Sequence, residues 1–176
     1  MSVLEHVGAW TFEELADLPD DGQRYEVVDG NLLVTPPPSH VHQGVSAAIF
    51  SLLKGGCTPQ WRVYYEFALP LGTDGRIPDL VVVRADAPIS RSTPYPVGPE
   101  FFGLVVEVVS SRTRKTDRFT KPGEYAEAGI PLFWRVELEP EIEVFGFELR
   151  DGAYVPTAEL LTPWGPITVD PGALLD

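Results

Sequence analysis

The chain has 176 residues, the size of one ordinary domain with one core, and we expect a single domain over residues 1–176. Hydrophobic residues make up 44% of it, yet no run of about 18 apolar residues occurs, which predicts no membrane span. A single cysteine, Cys57, excludes an internal disulfide, and no secretory signal is recognisable, so we expect a cytoplasmic protein. The net charge of −13 argues against broad electrostatic capture of nucleic acid.

The first third of the chain contains helix and hairpin signals. Residues 11–14 form a capping-box pattern, which predicts a short helix that ends before Pro19. Asp29 and Gly30 separate two short apolar runs, which is a strong hairpin signal. Apolar residues at helical spacing then predict a helix over residues 39–54.

The middle of the chain is rich in strand patterns. Alternating apolar residues predict one strand over residues 61–71, followed by a turn at residues 73–75. Two further strands are predicted over residues 77–84 and 103–109, and both are apolar on both faces. The segment between them, residues 85–99, is rich in Pro and Ser and is predicted to be a surface loop.

The last third begins with a helical pattern over residues 116–128, with Asp117 as a candidate N-cap. Pro122 fits this helix only if the helix begins shortly before it or restarts there, because proline cannot donate to the preceding turn. Strands are predicted over residues 132–138 and 142–149. Helices alternating with doubly apolar strands predict an α/β domain whose central sheet is covered on both sides.

Two acids interrupt strands that otherwise look buried. Asp79 lies in the second predicted strand and Glu107 in the third. A buried charge without a partner is costly, so each acid needs a metal, a base or an opening to water. Two carboxylates on neighbouring strands can hold one Mg²⁺, with water and a substrate phosphate completing the shell. The alternative is a pair of core carboxylates held by arginine or by backbone donors.

A cluster of basic residues follows the third strand. Its two interpretations are a solvated surface face and a local phosphate-facing patch on an acidic protein. The cluster consists of Arg112, Arg114, Lys115, Arg118 and Lys121.

Several motifs, taken in their order and spacing, resemble the Uma2 family between about residues 10 and 150. These are Tyr25-Glu26-Val27-Val28-Asp29-Gly30, the Pro36–Ser39 stretch with His42-Gln43, Pro78-Asp79, Glu107 with Ser110, Asp117 with Lys121, residues 125–131, and Phe133-Trp134. The resemblance implies membership of the PD-(D/E)xK nuclease superfamily. It therefore implies a restriction-endonuclease-like central mixed sheet flanked by helices, with an N-terminal hairpin, and a Mg²⁺ site that Mn²⁺ can also fill.

The position of the lysine departs from the common superfamily pattern. In most of that superfamily a lysine stands two residues after the second acid, where this chain has Val109. Uma2-like proteins resemble a variant in which the lysine comes from the following helix, and Lys121 matches that position. The alternative for Lys121 is an exposed helix lysine paired with Asp117 four residues earlier.

Other residues are candidates for supporting roles. Glu26 matches the N-terminal acid that often completes the metal site, and the alternative is an outward residue of a hairpin strand. His42, Arg114 and Asp117 are candidates for contacts with substrate or with the metal-binding residues, although His42 can equally be a helix residue without a role. Glu66 can approach the metal in one strand register, and a surface position is its alternative.

The leading hypothesis is a Mg²⁺-dependent endonuclease that hydrolyses phosphodiester bonds of nucleic acid, with DNA as the expected partner. Asp79 and Glu107 would bind the metal, Glu26 would assist, and Lys121 would activate water or stabilise the developing charge. A homodimer is expected because cutting two strands requires two sites. The competing hypothesis is a catalytically silent binding or regulatory module on the same fold, motivated by the net charge and the displaced lysine.

Overall fold

The structure is a computed structural model that describes residues 8–19, 21, 23–89 and 97–175. Two α-helices lie in this part of the chain, α1 (His40–Gly56) and α2 (Lys121–Glu127). The strands are β1 (Arg24–Val28), β2 (Asn31–Thr35), β3 (Trp61–Tyr65), β4 (Leu69–Leu71), β5 (Asp74–Arg76), β6 (Leu80–Arg84), β7 (Phe102–Val109), β8 (Leu132–Glu137), β9 (Glu143–Arg150), β10 (Ala153–Pro156), β11 (Leu160–Thr162) and β12 (Gly165–Ile167). Short 3₁₀-helices cover Glu13–Asp17, Pro99–Phe101 and Pro171–Leu174, and a π-helical turn covers Thr116–Thr120.

A six-stranded mixed sheet forms the centre, in the order β10-β9-β8-β7-β6-β3. Its parallel pair is β7 with β8, which α2 connects, and the other described pairs of this sheet are antiparallel. The predicted α/β fold with a central mixed sheet is therefore confirmed. The predicted N-terminal hairpin is also confirmed, since β1 pairs with β2 around Asp29 and Gly30, which both have positive φ.

Strand alternation divides the core into two layers. Leu104, Val106 and Val108 of β7 pack with the apolar face of α1. Val105, on the opposite face of the same strand, packs with Tyr125 of α2 and its neighbours. Since both faces of β7 are covered, every one of its side chains is buried, as the doubly apolar sequence predicted.

The prediction of one strand over residues 61–71 was wrong. Glu66 has a positive φ of 43°, which ends β3 and turns the chain out of the central sheet. The chain then forms β4, which belongs to a second sheet of order β2-β1-β5-β4. The alternation of apolar residues continues through this break, so the pattern does not reveal it.

Two further boundaries differ from prediction. Asp74 and Gly75, predicted as part of a turn, belong to β5, because the backbone of this segment pairs with both β1 and β4. The strand predicted over residues 77–84 is β6, which begins at Leu80 and not at Ile77. Of the loop predicted over residues 85–99, residues 90–96 lie outside the described residues.

The helix predicted over residues 116–128 consists of a π-helical turn followed by α2, with Pro122 in the first turn of α2. Pro122 would lose a backbone hydrogen bond inside a continuous α-helix, and the restart avoids this loss. The prediction of Asp117 as N-cap was wrong, because its own N–H already donates to Thr113 O and its side chain contacts Lys121. Gly129, with φ 77°, ends the helix as predicted.

Among the described residues, no helix is long and apolar enough to cross a membrane.

Candidate active site

A cleft of about 1320 Å³ opens at the end of the central sheet where β6 begins and β7 ends. The first residues of α1 and the segment before α2 line it from the two sides of the sheet. Asp79 and Glu107 lie at its base, and both side chains are buried.

The register of β6 and β7 brings these two acids together. Leu80 pairs with Val106 and Val81 pairs with Val105 in this antiparallel ladder. Continuing that register by one residue sets Asp79 opposite Glu107, so their side chains leave the same face of the sheet. The backbone N–H of Val108 donates to Asp79 Oδ2 at 2.8 Å and fixes the carboxylate at this position.

The Asp79 carboxylate is held by cations from two other elements. Arg24 Nη1, at the start of β1, lies 3.0 Å from Asp79 Oδ1. His42 Nε2, in the first turn of α1, lies 3.2 Å from Asp79 Oδ2. Burial raises the pKa of Asp79, but His42, Arg24 and Lys121 outweigh burial and hold that pKa well below its ordinary range.

The Glu107 carboxylate is contacted by two side chains of α2. Lys121 Nζ lies 2.9 Å from Glu107 Oε1, and the Tyr125 hydroxyl donates to the same oxygen. Lys121 Nζ also lies 2.9 Å from Asp117 Oδ1. Asp117, Lys121 and Tyr125 follow each other at spacings of four, so one side of the helical segment carries all three.

The pKa of Glu107 is shifted in the opposite direction to that of Asp79. Burial raises the pKa of Glu107 well above its ordinary range; Asp79 and Asp117 raise it further, and Lys121 offsets only part of the rise. For Lys121, burial lowers the pKa, but Glu107 and Asp117 raise it further than burial lowers it. Lys121 is therefore a protonated ammonium at neutral pH.

The other predicted residues occupy different positions. Glu26 is buried, but it accepts the N–H of Ile77 at 3.0 Å and pairs with Arg76, which also holds Glu124. Glu26 does not line the cleft as the described residues define it. Glu66 lies at the rim, 3.6 Å from Arg24, with its side chain 53% exposed.

The basic cluster is divided by the structure. Arg112 and Arg114 are exposed at the cleft, and Arg114 pairs with exposed Glu139. Arg118 binds Glu137 through two nitrogens, and Lys121 is buried. A phosphate-facing role for the exposed arginines at the cleft stays a prediction.

The donor set fits a magnesium ion held by two carboxylates. Mg²⁺ is commonly held by one or two carboxylates, with water and phosphate oxygens completing its shell. The contacts of Lys121 and Tyr125 both fall on Oε1 of Glu107, so Oε2 is the oxygen that would take the metal. No group of three or more His, Cys, Asp and Glu side chains suited to a metal is found within the described ranges.

Two contributors were missed by sequence reasoning. Arg24 is separated from Asp79 by 55 residues, and no local pattern connects them. Tyr125 had a usable signal, because it stands four residues after Lys121 and so lies on the same helix face.

Fold and site together define a restriction-endonuclease-like α/β domain. The family model of Uma2, described as "Putative restriction endonuclease", matches residues 12–168. The chain therefore belongs to the Uma2 family, as its motifs predicted.

A solved structure supports the same fold. The crystal structure described as that of "a putative nuclease belonging to DUF820 from Anabaena variabilis ATCC 29413" matches with a TM-score of 0.73 and 16% identity. The match covers 94% of this chain and 97% of that one. Among curated proteins, no sequence matches this chain.

Proposed function

We propose that this protein is a Mg²⁺-dependent endonuclease that hydrolyses phosphodiester bonds of nucleic acid, with DNA as its substrate. The observation that carries the proposal is the cross-strand pair of Asp79 and Glu107 at the base of a cleft, with the Lys121 ammonium 2.9 Å from Glu107. Family membership supports the same reaction class.

Asp79 and Glu107 would hold the metal, for which Mn²⁺ is an alternative. The metal, when bound, polarises the phosphoryl group and lowers the pKa of a coordinated water. Lys121, being protonated, would stabilise the charge that develops on phosphate oxygens and would not act as a base. Asp117 and Tyr125 would hold the Lys121–Glu107 pair in place. Assistance by Glu26 stays a prediction, and its pairing with Arg76 favours an indirect effect on the cleft.

Nicking of supercoiled plasmid DNA in Mg²⁺ tests this proposal. We expect wild-type protein to nick the plasmid, and we expect Asp79→Asn, Glu107→Gln and Lys121→Met each to lose about 100-fold or more of the rate. Lys54→Met is the matched control, because Lys54 is exposed at the end of α1 and away from the cleft. Equal rates for wild type and all three cleft variants, each shown to be folded by thermal melting, would refute the proposal.

A catalytically silent binding module on the same fold is the second candidate, and the net charge of −13 favours it. A thermal-shift titration separates the two, since a metal that binds only the folded state raises its melting temperature. The endonuclease predicts a rise with Mg²⁺ or Mn²⁺ that Asp79→Asn abolishes. The silent module predicts no rise.

The homodimer expected from the sequence belongs to the same proposal, because cleavage of both strands of a duplex requires two sites. Light scattering on the purified full chain measures the oligomeric state. A monomer at all concentrations would contradict the homodimer and leave single-strand nicking in place.

A further inference from the structure

An exposed aromatic ring lies in the cleft beside the candidate metal site. Tyr65 is the last residue of β3, is 45% exposed and lines the same cleft as Asp79. Its ring stacks on Phe50 of α1, with ring centroids 4.3 Å apart and an angle of 18° between the planes. One face of the Tyr65 ring is thus supported by a second aromatic ring, and much of the remaining ring surface is open.

The ring is close in register to the reacting centre. Tyr65 pairs with Leu80, the residue after Asp79, and the N–H of Glu66 donates to the carbonyl of Asp79 at 3.1 Å. Tyr65 shares the strand face of buried Val63, which packs toward α1. The ring therefore belongs to the α1 side of the cleft.

Helix α1 contacts both Asp79 and this ring. His42, Ser46 and Phe50 follow each other at spacings of four along α1. His42 contacts Asp79, Ser46 Oγ lies 3.5 Å from His42 Nδ1, and Phe50 supports Tyr65. One face of the helix thus contacts both the candidate metal-binding acid and the aromatic ring.

Most basic side chains of the cleft are engaged by acids, and Arg112 is exposed there. Arg24 and Lys121 are engaged by Asp79 and Glu107, and Arg114 is paired with Glu139. The whole chain carries a net charge of −13. A contribution that does not depend on charge would add to the affinity for nucleic acid, and stacking of bases on aromatic rings supplies one.

We infer that Tyr65, supported by Phe50, is a stacking site for an unpaired nucleobase next to the scissile phosphate. This inference rests on the proposed nucleic-acid substrate. Neighbouring bases cover both faces of a base inside a duplex, so a free face comes from a single strand, a gap, a flap or an extruded base. The substrate class is thereby narrowed to DNA that presents an unpaired base at the cleft.

Binding of fluorescein-labelled oligonucleotides, followed by anisotropy, tests the inference independently of cleavage. The probes are a single strand and a blunt duplex of the same sequence, in Ca²⁺ buffer, with the recovered DNA checked for integrity on a gel. Tyr65→Leu keeps apolar contact with Phe50 and removes the aromatic face, whereas Tyr65→Phe keeps the ring. Phe119→Leu is the matched control, because Phe119 is 75% exposed and does not line the cleft.

The expected result is a selective loss. Wild type binds the single strand more tightly than the duplex, and Tyr65→Leu weakens single-strand binding about tenfold, which corresponds to about 1.4 kcal/mol. Duplex binding is unchanged, and Tyr65→Phe and Phe119→Leu behave as wild type. Equal single-strand affinities of wild type and Tyr65→Leu would overturn the inference, as would an equal loss on both probes or no binding by wild type.

Plasmid nicking separates this inference from the proposed function. If wild-type protein nicks the plasmid but any of the overturning binding results is observed, the proposed nuclease activity stands and the stacking site is refuted. If Tyr65→Leu selectively loses single-strand binding but wild-type protein does not nick the plasmid, the nuclease proposal is refuted and the cleft is a base-binding site.

Discussion

Each half of the cleft holds one buried carboxylate, and the two carboxylates differ in their partners and in the direction of their pKa shifts. On one side, Asp79 receives Arg24 from β1, His42 from α1 and a backbone N–H from β7. On the other side, Glu107 receives Lys121 and Tyr125 from a single helix. The two acids are cross-strand neighbours, yet the pKa of Asp79 is lowered and that of Glu107 is raised.

This difference follows from the number of donors and from the neighbouring charges. Asp79 has donors on both oxygens and two cationic partners, so its ionised form is stabilised. Glu107 shares one ammonium with Asp117 and is more completely buried, so its ionised form lacks compensation. Protein groups therefore already stabilise the ionised form of Asp79, whereas the ionised form of Glu107 is the one that a bound metal would stabilise most.

The largest expected effect in this comparison is that of Lys121→Met. This change leaves Glu107 and Asp117 buried without their shared cation, and breaking such a buried pair costs about 3–5 kcal/mol. Urea denaturation at neutral pH in EDTA measures the free energy of unfolding.

Two controls accompany this measurement. Lys54→Met changes an exposed lysine and should alter stability by no more than about 0.5 kcal/mol. The double variant Lys121→Met with Glu107→Gln should recover part of the loss, because it removes one of the two stranded charges. A loss for Lys121→Met no larger than that for Lys54→Met would mean that the Glu107 half does not depend on its ammonium.

A smaller loss is expected on the Asp79 side from Arg24→Met. Asp79 would retain His42 and the Val108 N–H, so the cost is that of one hydrogen bond to a charged group, about 2 kcal/mol. The same urea titration measures it. Arg150→Met is the control, since Arg150 forms an exposed pair with Glu148 and such pairs contribute little. Were Arg24→Met to cost more than Lys121→Met, the proposed asymmetry between the halves would be reversed.

The same asymmetry explains how much of the site the sequence predicted. On the Glu107 side, Asp117, Lys121 and Tyr125 are spaced by four, and helical periodicity is visible in sequence. Only the family resemblance predicted that Lys121 lies in the same site as Glu107. A βαβ connection alone does not determine which strand residues a side chain of its helix contacts. On the Asp79 side, Arg24 lies 55 residues away in a different sheet, and no sequence pattern reports a contact of that kind.

The elements of the fold, like those of the site, were predicted only where a local sequence pattern determines them. The doubly apolar strand β7 and the Asp-Gly hairpin follow from local patterns and were predicted. The break at Glu66 was missed because its neighbours keep the apolar alternation, and only the backbone φ of 43° reveals it. β5 was missed because Asp and Gly are poor strand formers, and its pairing with two other strands outweighs that preference.

The smallest expected effect concerns the pH dependence that His42 contributes. Burial lowers the pKa of His42, but its hydrogen bond to Asp79 and the charge of Asp79 outweigh burial and raise that pKa above its ordinary value of 6.5. A group whose pKa is raised by folding stabilises the folded state fully below its unfolded pKa, and this contribution is lost as the pH rises through the folded pKa. The stability difference between wild type and His42→Gln should therefore be largest below about pH 6.5 and should shrink towards alkaline pH.

Urea titrations in EDTA across this range measure that difference. His40→Gln is the matched control, because His40 is exposed in the same helical turn. A difference that grows with pH would show that the folded state prefers neutral His42. In that case the contact at 3.2 Å would not be an ion pair, and Arg24 alone would supply positive charge to Asp79 from this side of the cleft.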